Sequence, residues 1–265
     1  VLLRGVHVTA VHETFLLGGA ATVLVVHAHP DDETLATGPL LAALGRRGVR
    51  IALLTCTRGE RGGVTEQFAD LAGTPELAVH RERELDAALA ALGVRDHAWL
   101  GTPPARVVGL PERTYRDSGM EWVTPTVAGP APDAGPEAFT ASDVEEAAAD
   151  AAAWASELGA DAIVSYDADG GYHHPDHVHA HHVAKRAAGL VGVPFWQVVS
   201  EPRGEPFGSS PRPDAVTVTA SEDADALLAA HLAHASQFVL DGDDVVHHGG
   251  QREPIVRAVR VEPGA

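Results

Sequence analysis

His29 and Asp32 stand three residues apart in the segment HAHPDDE at 27–33. An imidazole and a carboxylate at that spacing can aim at one cation from a turn. Asp31, between them, can approach the same point without ligating it, and Pro30 stiffens the turn. The plainer alternative is a helix start, because Asp31 and Asp32 are good caps and suit the helix dipole. Capping alone does not require His29. A second segment, Tyr172-His173-His174-Pro175-Asp176-His177, supplies the further imidazole that completes a two-His, one-carboxylate set through His177. Three protein ligands with positions left open is the pattern of a catalytic metal site. The alternative here is a surface histidine run in a chain with 16 His. His173, His179, His181 and His182 read as solvated or supporting positions. Zinc suits nitrogen and oxygen ligands, and the same set serves non-haem Fe(II), so both metals stay open.

The elements around these segments explain why they converge. TVLVVH at 22–27 is a continuous apolar, β-branched run, as expected of a parallel strand buried on both faces. The period predicts a helix over 33–47, bent or restarted at Pro39, then a strand over 49–56 and a helix over 76–92. A short strand follows near 97–100. Residues 101–139 are rich in Pro and Gly and read as a long loop, of the kind that is often functional. Beyond it come a helix over 141–158, a strand over 161–166, a helix from His174 to Gly192 and a strand over 194–200. After a Pro/Gly connection, the pattern gives a strand at 214–219, a helix at 222–238 and a strand pair near 243–261. Alternating β and α units imply an α/β, Rossmann-like fold, with a mostly parallel sheet and helices on both faces. Both chemical segments then sit at carboxyl ends of strands, where open α/β sheets bind ligands. The division expected is one domain over 1–265, with 1–20 as an N-terminal extension and 201–265 as a smaller C-terminal subregion.

Composition narrows the function classes. With 37 acidic against 19 basic residues, the formal charge is -18. Such a surface repels phosphate backbones and anionic lipid headgroups, so nucleic-acid and membrane partners are not expected. The apolar run Phe15–Val26 is shorter than the roughly 20 residues needed to span a bilayer. One cysteine, Cys56, excludes an internal disulfide and suits a cytoplasmic protein. It ends a strand-like run and reads as a buried, inert thiol. GGAAT at 18–22 precedes a strand rather than following one, so it is not a phosphate-cradling loop.

HAHPDDE at 27–33 and HPDH at 174–177 resemble the paired signatures of the LmbE-like (PIG-L) zinc de-N-acetylases. TRGE at 57–60, RERELDAALAALGV at 81–94, YRDSGM at 115–120 and YDADGGYHHPDHVH at 166–179 extend the likeness over most of 22–200. The last two strongly resemble the actinobacterial branch acting in mycothiol metabolism, and above all its N-acetylglucosaminyl-inositol deacetylases. The resemblance implies that His29, Asp32 and His177 hold zinc and that Asp31 is the general base. It further implies that His174 stabilises the oxyanion, that Asp176 orients His174, and that Tyr172 lies beside the reacting carbonyl. Arg81 and Asp117 match positions that hold sugar hydroxyls; taken without the resemblance, Arg81 and Glu84 are an ordinary helix-surface pair. The related mycothiol-conjugate amidases typically carry Lys where this chain has Ala36, which favours the deacetylase.

The reaction so implied is hydrolysis of an N-acetyl group on an amino-sugar conjugate by metal-activated water, with Zn2+ or another divalent metal such as Fe2+ as cofactor. The substrate is a small molecule, N-acetylglucosaminyl-inositol or a glycosylated metabolite, and a homo-oligomer is compatible with the sequence. The competing readings are an amidase of mycothiol conjugates, a hydratase-like enzyme and a binding protein on the same scaffold. An intact Asp31 beside the ligands argues against pure binding.

Overall fold

The computed structural model describes residues 13–202 and 205–264; most of the expected extension at 1–20 therefore lies outside the described residues. A 3-10 helix at Glu13–Gly19 leads into β1 (Thr22–His27). Then follow α1 (Asp32–Leu35), α2 (Gly38–Arg46), β2 (Arg50–Thr55), α3 (Glu76–Leu92) and β3 (Asp96–Trp99). The middle of the chain forms β4 (Met120–Thr124), β5 (Val127–Pro130), α4 (Val144–Leu158), β6 (Ala162–Tyr166), α5 (Gly170–His173), α6 (Pro175–Val191) and β7 (Phe195–Val198). The last part contains β8 (Val216–Thr219), α7 (Ala224–Ala233), β9 (Phe238–Asp241), β10 (Asp244–His247), β11 (Arg252–Pro254) and β12 (Ala258–Pro263).

The main sheet runs in the order β3-β2-β1-β6-β7-β12-β8. Strands β3, β2, β1, β6 and β7 are parallel, whereas β12 runs antiparallel to both β7 and β8. Side chains of β1 alternate between two cores. Leu24 and Val26 pack with Ala147, Ala151 and Trp154 of α4 and with Val183 and Ala187 of α6. Val23 and Val25 pack with Leu40 and Leu44 of α2, Leu85 of α3 and Leu227 of α7. Helices therefore cover both faces, and a strand buried twice has to be apolar at every position.

β1 lies between β2 and β6, so successive crossovers leave it in opposite directions, and a crevice opens beyond its carboxyl end. Both chemical segments enter this crevice. α1 and α2 divide the helix expected over 33–47, with Pro39 in the first turn of the second, where a missing N–H costs nothing.

Three expectations are corrected. The stretch 101–139 is not wholly irregular: Met120–Thr124 and Val127–Pro130 pair as an antiparallel hairpin. The helix expected to reach 238 ends at Ala233, because the next residues turn their polar side chains into the interior. The C-terminal strand pair is instead a three-stranded meander, β9-β10-β11, followed by β12 in the main sheet. Among the described residues, no helix is long and apolar enough to cross a membrane.

Candidate metal centre and its surroundings

The turn after β1 places His29, Asp31 and Asp32 within one reversal of the chain. Asp32 folds back so that its Oδ2 accepts the backbone N–H of His29 at 2.9 Å. That oxygen lies 3.4 Å from His29 Nδ1. From the other segment, His177 on the first turn of α6 brings Nε2 to 3.2 Å from Asp32 Oδ1. All three side chains are buried. Glycine is required at Gly170, where φ is +59° and a Cβ would meet the Val178 backbone nitrogen at 2.9 Å. The sharp turn it allows sets the Gly170 carbonyl 3.2 Å from His177 Nδ1.

These contacts fix the tautomers. His177 Nδ1 faces only a carbonyl oxygen, so it carries the proton and donates. Nε2 is buried and without a hydrogen-bond partner among the described residues. His29 Nε2 lies 3.1 Å from Asp176 Oδ2, so that nitrogen donates and Nδ1 faces Asp32. Two ring nitrogens and a carboxylate thus converge on one point, where a bound cation would take the place of the protons the imidazoles can carry. A divalent cation satisfies that donor set, and the outer contacts to a carbonyl and a carboxylate are those that orient ligating imidazoles. The residues therefore fit a zinc or Fe(II) ion. Nitrogens of His29, His174 and His177 also lie within 4.8 Å of one another, as do donor atoms of His29, Asp117 and Asp176. Although burial opposes charge at His29, hydrogen bonds to Asp176 and Asp32 and the nearby Asp117 outweigh it and raise its pKa well above the usual range.

The structure gives Asp176 a different partner from the one the resemblance implies. Its Oδ2 accepts from His29 and from the Ser118 backbone N–H at 2.9 Å, and not from the His174 ring. His174 is linked to Asp176 only through the backbone, its Nδ1 accepting the Asp176 N–H at 3.2 Å as the cap of α6. Burial, then the neighbouring His177 and His29, hold His174 well below the usual histidine pKa. It is a neutral imidazole with its proton on Nε2, not an imidazolium. The rings of His174 and His177 stack with centroids 4.6 Å apart, and Tyr172 meets both edge-on.

Asp31 is half-buried at the rim, with φ at +121°, a conformation that costs an L-residue of order 1–3 kcal/mol. Burial, and then the Asp32 charge, push its pKa up to about 7. Asp117 lies close by, with Oδ1 3.8 Å from His29 Nε2. Its carboxylate also accepts the backbone N–H groups of Arg61 and Gly119 at 3.1 and 2.8 Å. Arg81 and Glu84 are not a surface pair; both are buried. The Arg81 guanidinium donates to the carbonyls of Gly59 and Gly63, which binds the loop after β2 to α3. Its Nε has no partner among the described residues.

Sequence reasoning missed Tyr166, Ser118, His234 and Gln237. Tyr166 stacks on His177 at 4.3 Å with ring planes 6° apart, and its hydroxyl accepts the Ala28 N–H at 3.0 Å. Its signal was available, since it is the last residue of a buried strand directly before DADGG. Cys56 is buried, and its pKa is raised well above the ordinary thiol range, by burial and then by Asp176 and Asp32, as suits an inert thiol.

Fold and site together define an α/β protein with a histidine–carboxylate centre at the switch point of a mostly parallel sheet. Residues 24–188 match the family described as GlcNAc-PI de-N-acetylase (PIG-L). The chain belongs to this family. It is 37% identical over 263 residues to a 1D-myo-inositol 2-acetamido-2-deoxy-alpha-D-glucopyranoside deacetylase of Nocardioides, covering 83% of this chain and 84% of the relative. A protein of the same description from Catenulispora acidiphila is 45% identical over 174 residues, covering 64% of this chain and 52% of its own; the chain thus spans about half of that relative. Among solved structures, the zinc-inhibited form of teicoplanin deacetylase Orf2 shares the fold, with a TM-score of 0.58, 20% identity, and 92% and 98% coverage of the two chains. So does GalB, the 4-carboxy-2-hydroxymuconate hydratase of Pseudomonas putida, with a TM-score of 0.53, 16% identity, and 92% and 96% coverage.

Proposed function

We propose that the chain is a metal-dependent hydrolase that removes the N-acetyl group from an amino-sugar conjugate, with N-acetylglucosaminyl-inositol as first candidate. The observation that carries this reading is the convergence of His29 Nδ1 and His177 Nε2 on the Asp32 carboxylate with Asp31 at the rim. The relatives' shared description supplies the substrate class. The likeness to a hydratase shows that the fold alone does not choose the reaction, so the choice rests on the site and the relatives.

His29, Asp32 and His177 would hold the metal. Zinc or Fe(II) there supplies Lewis acidity and lowers the pKa of water from about 15.7 toward about 7. Asp31, poised near neutrality, takes the proton of the attacking water and later returns it to the leaving amine. His174 donates its Nε2 proton to the carbonyl oxygen as negative charge develops there; a fixed donor at that point is worth several kcal/mol. Asp176 acts mainly on His29, locking the ring so that Nδ1 faces Asp32. Tyr172 borders the reacting carbonyl, and Asp117 and Arg81 lie on the side where sugar hydroxyls would bind, Arg81 chiefly by shaping the loop at 59–63.

The test is acetate and free-amine release from N-acetylglucosaminyl-inositol by metal-loaded protein. Stoichiometric release of both, abolished by a chelator and restored by metal, supports the reading. Turnover of an unsaturated hydratase substrate with no amine release from any N-acetyl sugar would overturn it.

A further inference from the structure

The peptide bond before Asp31, whose φ is positive, is held at both ends by buried side chains. The carbonyl of Pro30 accepts from Gln237 Nε2 at 2.7 Å. The N–H of Asp31, in the same peptide unit, donates to Glu33 Oε2 at 3.0 Å. The other Glu33 oxygen accepts from His234 Nε2 at 2.6 Å and from Thr34 Oγ1 at 2.5 Å. Gln237 Nε2 also lies 3.2 Å from His234 Nδ1, which links the two arms of the clamp. All four partners, Gln237, His234, Glu33 and Thr34, are buried.

The clamp is itself anchored. Ser236 donates through its backbone N–H and its hydroxyl to Glu84 on α3, at 2.7 and 2.6 Å. Thr65 donates its N–H to the Ser236 carbonyl at 2.8 Å. None of these residues reaches the metal ligands' donor atoms. Their hydrogen bonds bear on the orientation of the Pro30–Asp31 peptide, and so on where the Asp31 carboxylate points.

We infer that Gln237 and His234 are positioning residues that hold Asp31 in its working orientation by fixing both ends of the Pro30–Asp31 peptide. This rests on the reading of Asp31 as the base. A peptide released at either end relaxes toward negative φ, and a carboxylate displaced by about 1 Å costs on the order of 10²-fold in rate.

The experiment uses Gln237→Met, which keeps the volume and removes the donor, with turnover measured on the metal-loaded protein. The expected result is a fall in kcat of ~10- to 100-fold, with KM changed less than about twofold and metal content unaltered. In chelator-treated protein, hydrogen exchange at the Asp31 amide should rise, a readout independent of turnover. Introduced into Asp31→Asn, the same substitution should cost nothing further. Equal losses in both backgrounds, or a loss confined to KM or metal content, would overturn the inference. Should Gln237→Met fail to fold, Gln237→Asn keeps an amide one methylene too short to reach Pro30 and is read the same way. The two readings fail separately. Full turnover in Asp31→Asn removes the base, whereas normal turnover in Gln237→Met beside an inactive Asp31→Asn removes only the clamp.

Discussion

His177 sets Nε2 3.2 Å from Asp32 Oδ1 while its Nδ1 faces the Gly170 carbonyl. A buried imidazole nitrogen with no hydrogen-bond partner among the described residues, set beside a carboxylate, suits a divalent cation between them. We therefore expect one divalent ion per chain by elemental analysis. His177→Ala should weaken binding by more than the ~10- to 100-fold typical of losing a partner outside the ligand shell. Full metal content in that variant would place the ion elsewhere.

Asp31 is the group to remove without disturbing that ion. Asp31→Ala should retain metal and lose ~10²- to 10⁴-fold in turnover, the range for a lost general base. Normal turnover would leave Asp31 as a helix-initiating residue and nothing more.

The buried pair of His234 and Glu33 should appear in the pH dependence of stability. At His234, burial opposes charge but the Glu33 carboxylate outweighs it and raises the pKa above 6.5, so the pair's contribution is complete below that value and fades as pH rises through the folded one. At Glu33, His234 likewise overcomes burial and lowers the pKa below 4.5, so the contribution is complete above that value and fades as pH falls through the folded one. Urea unfolding of metal-free wild type and His234→Leu should thus differ most between about pH 4.5 and 6.5 and converge on both sides. A difference independent of pH would mean that His234 contributes packing and not charge.

If Asp117 holds a sugar hydroxyl as proposed, substrate recognition and chemistry separate at this residue. Asp117→Ala should raise KM for a sugar amide while changing that for a small acetamide far less, because the small compound has no hydroxyl to present. Equal effects on both would show that Asp117 merely holds the Arg61 and Gly119 amides in place.

Cys56→Ala should leave activity intact, since a buried thiol with a raised pKa is a poor nucleophile. Loss of turnover with retained thermal stability would assign the thiol a role.

The fold was legible where one physical signal dominated. Val23 to Val26 had to be apolar throughout because α-helices cover both sides of β1, and Pro39 had to restart a helix because it lacks an N–H. The convergence of His29, Asp32 and His177 followed from strand ends in one sheet. Arg81 and Glu84 misled, because their spacing suits a solvated helix face and their true partners, Gly59, Gly63 and Ser236, lie far off in sequence. His234 and Gln237 stayed hidden for the same reason: nothing local distinguishes HASQ from the end of an amphipathic helix. The hairpin at 120–130 was lost among glycines and prolines, and Trp122, which it carries onto Tyr172 at 5.4 Å, was lost with it.

The placement of β12 between β7 and β8 bears on how the protein is born. A ribosome releases every presumed ligand, from His29 to His177, well before it releases the strand that joins β8 to the parallel part of the sheet. The Gln237 and His234 contacts to the catalytic turn arrive in the same late stretch of synthesis. The part of the chain before α7 therefore carries His29, Asp32 and His177 but neither His234 nor Gln237, the side chains that hold the Pro30–Asp31 peptide from outside the turn.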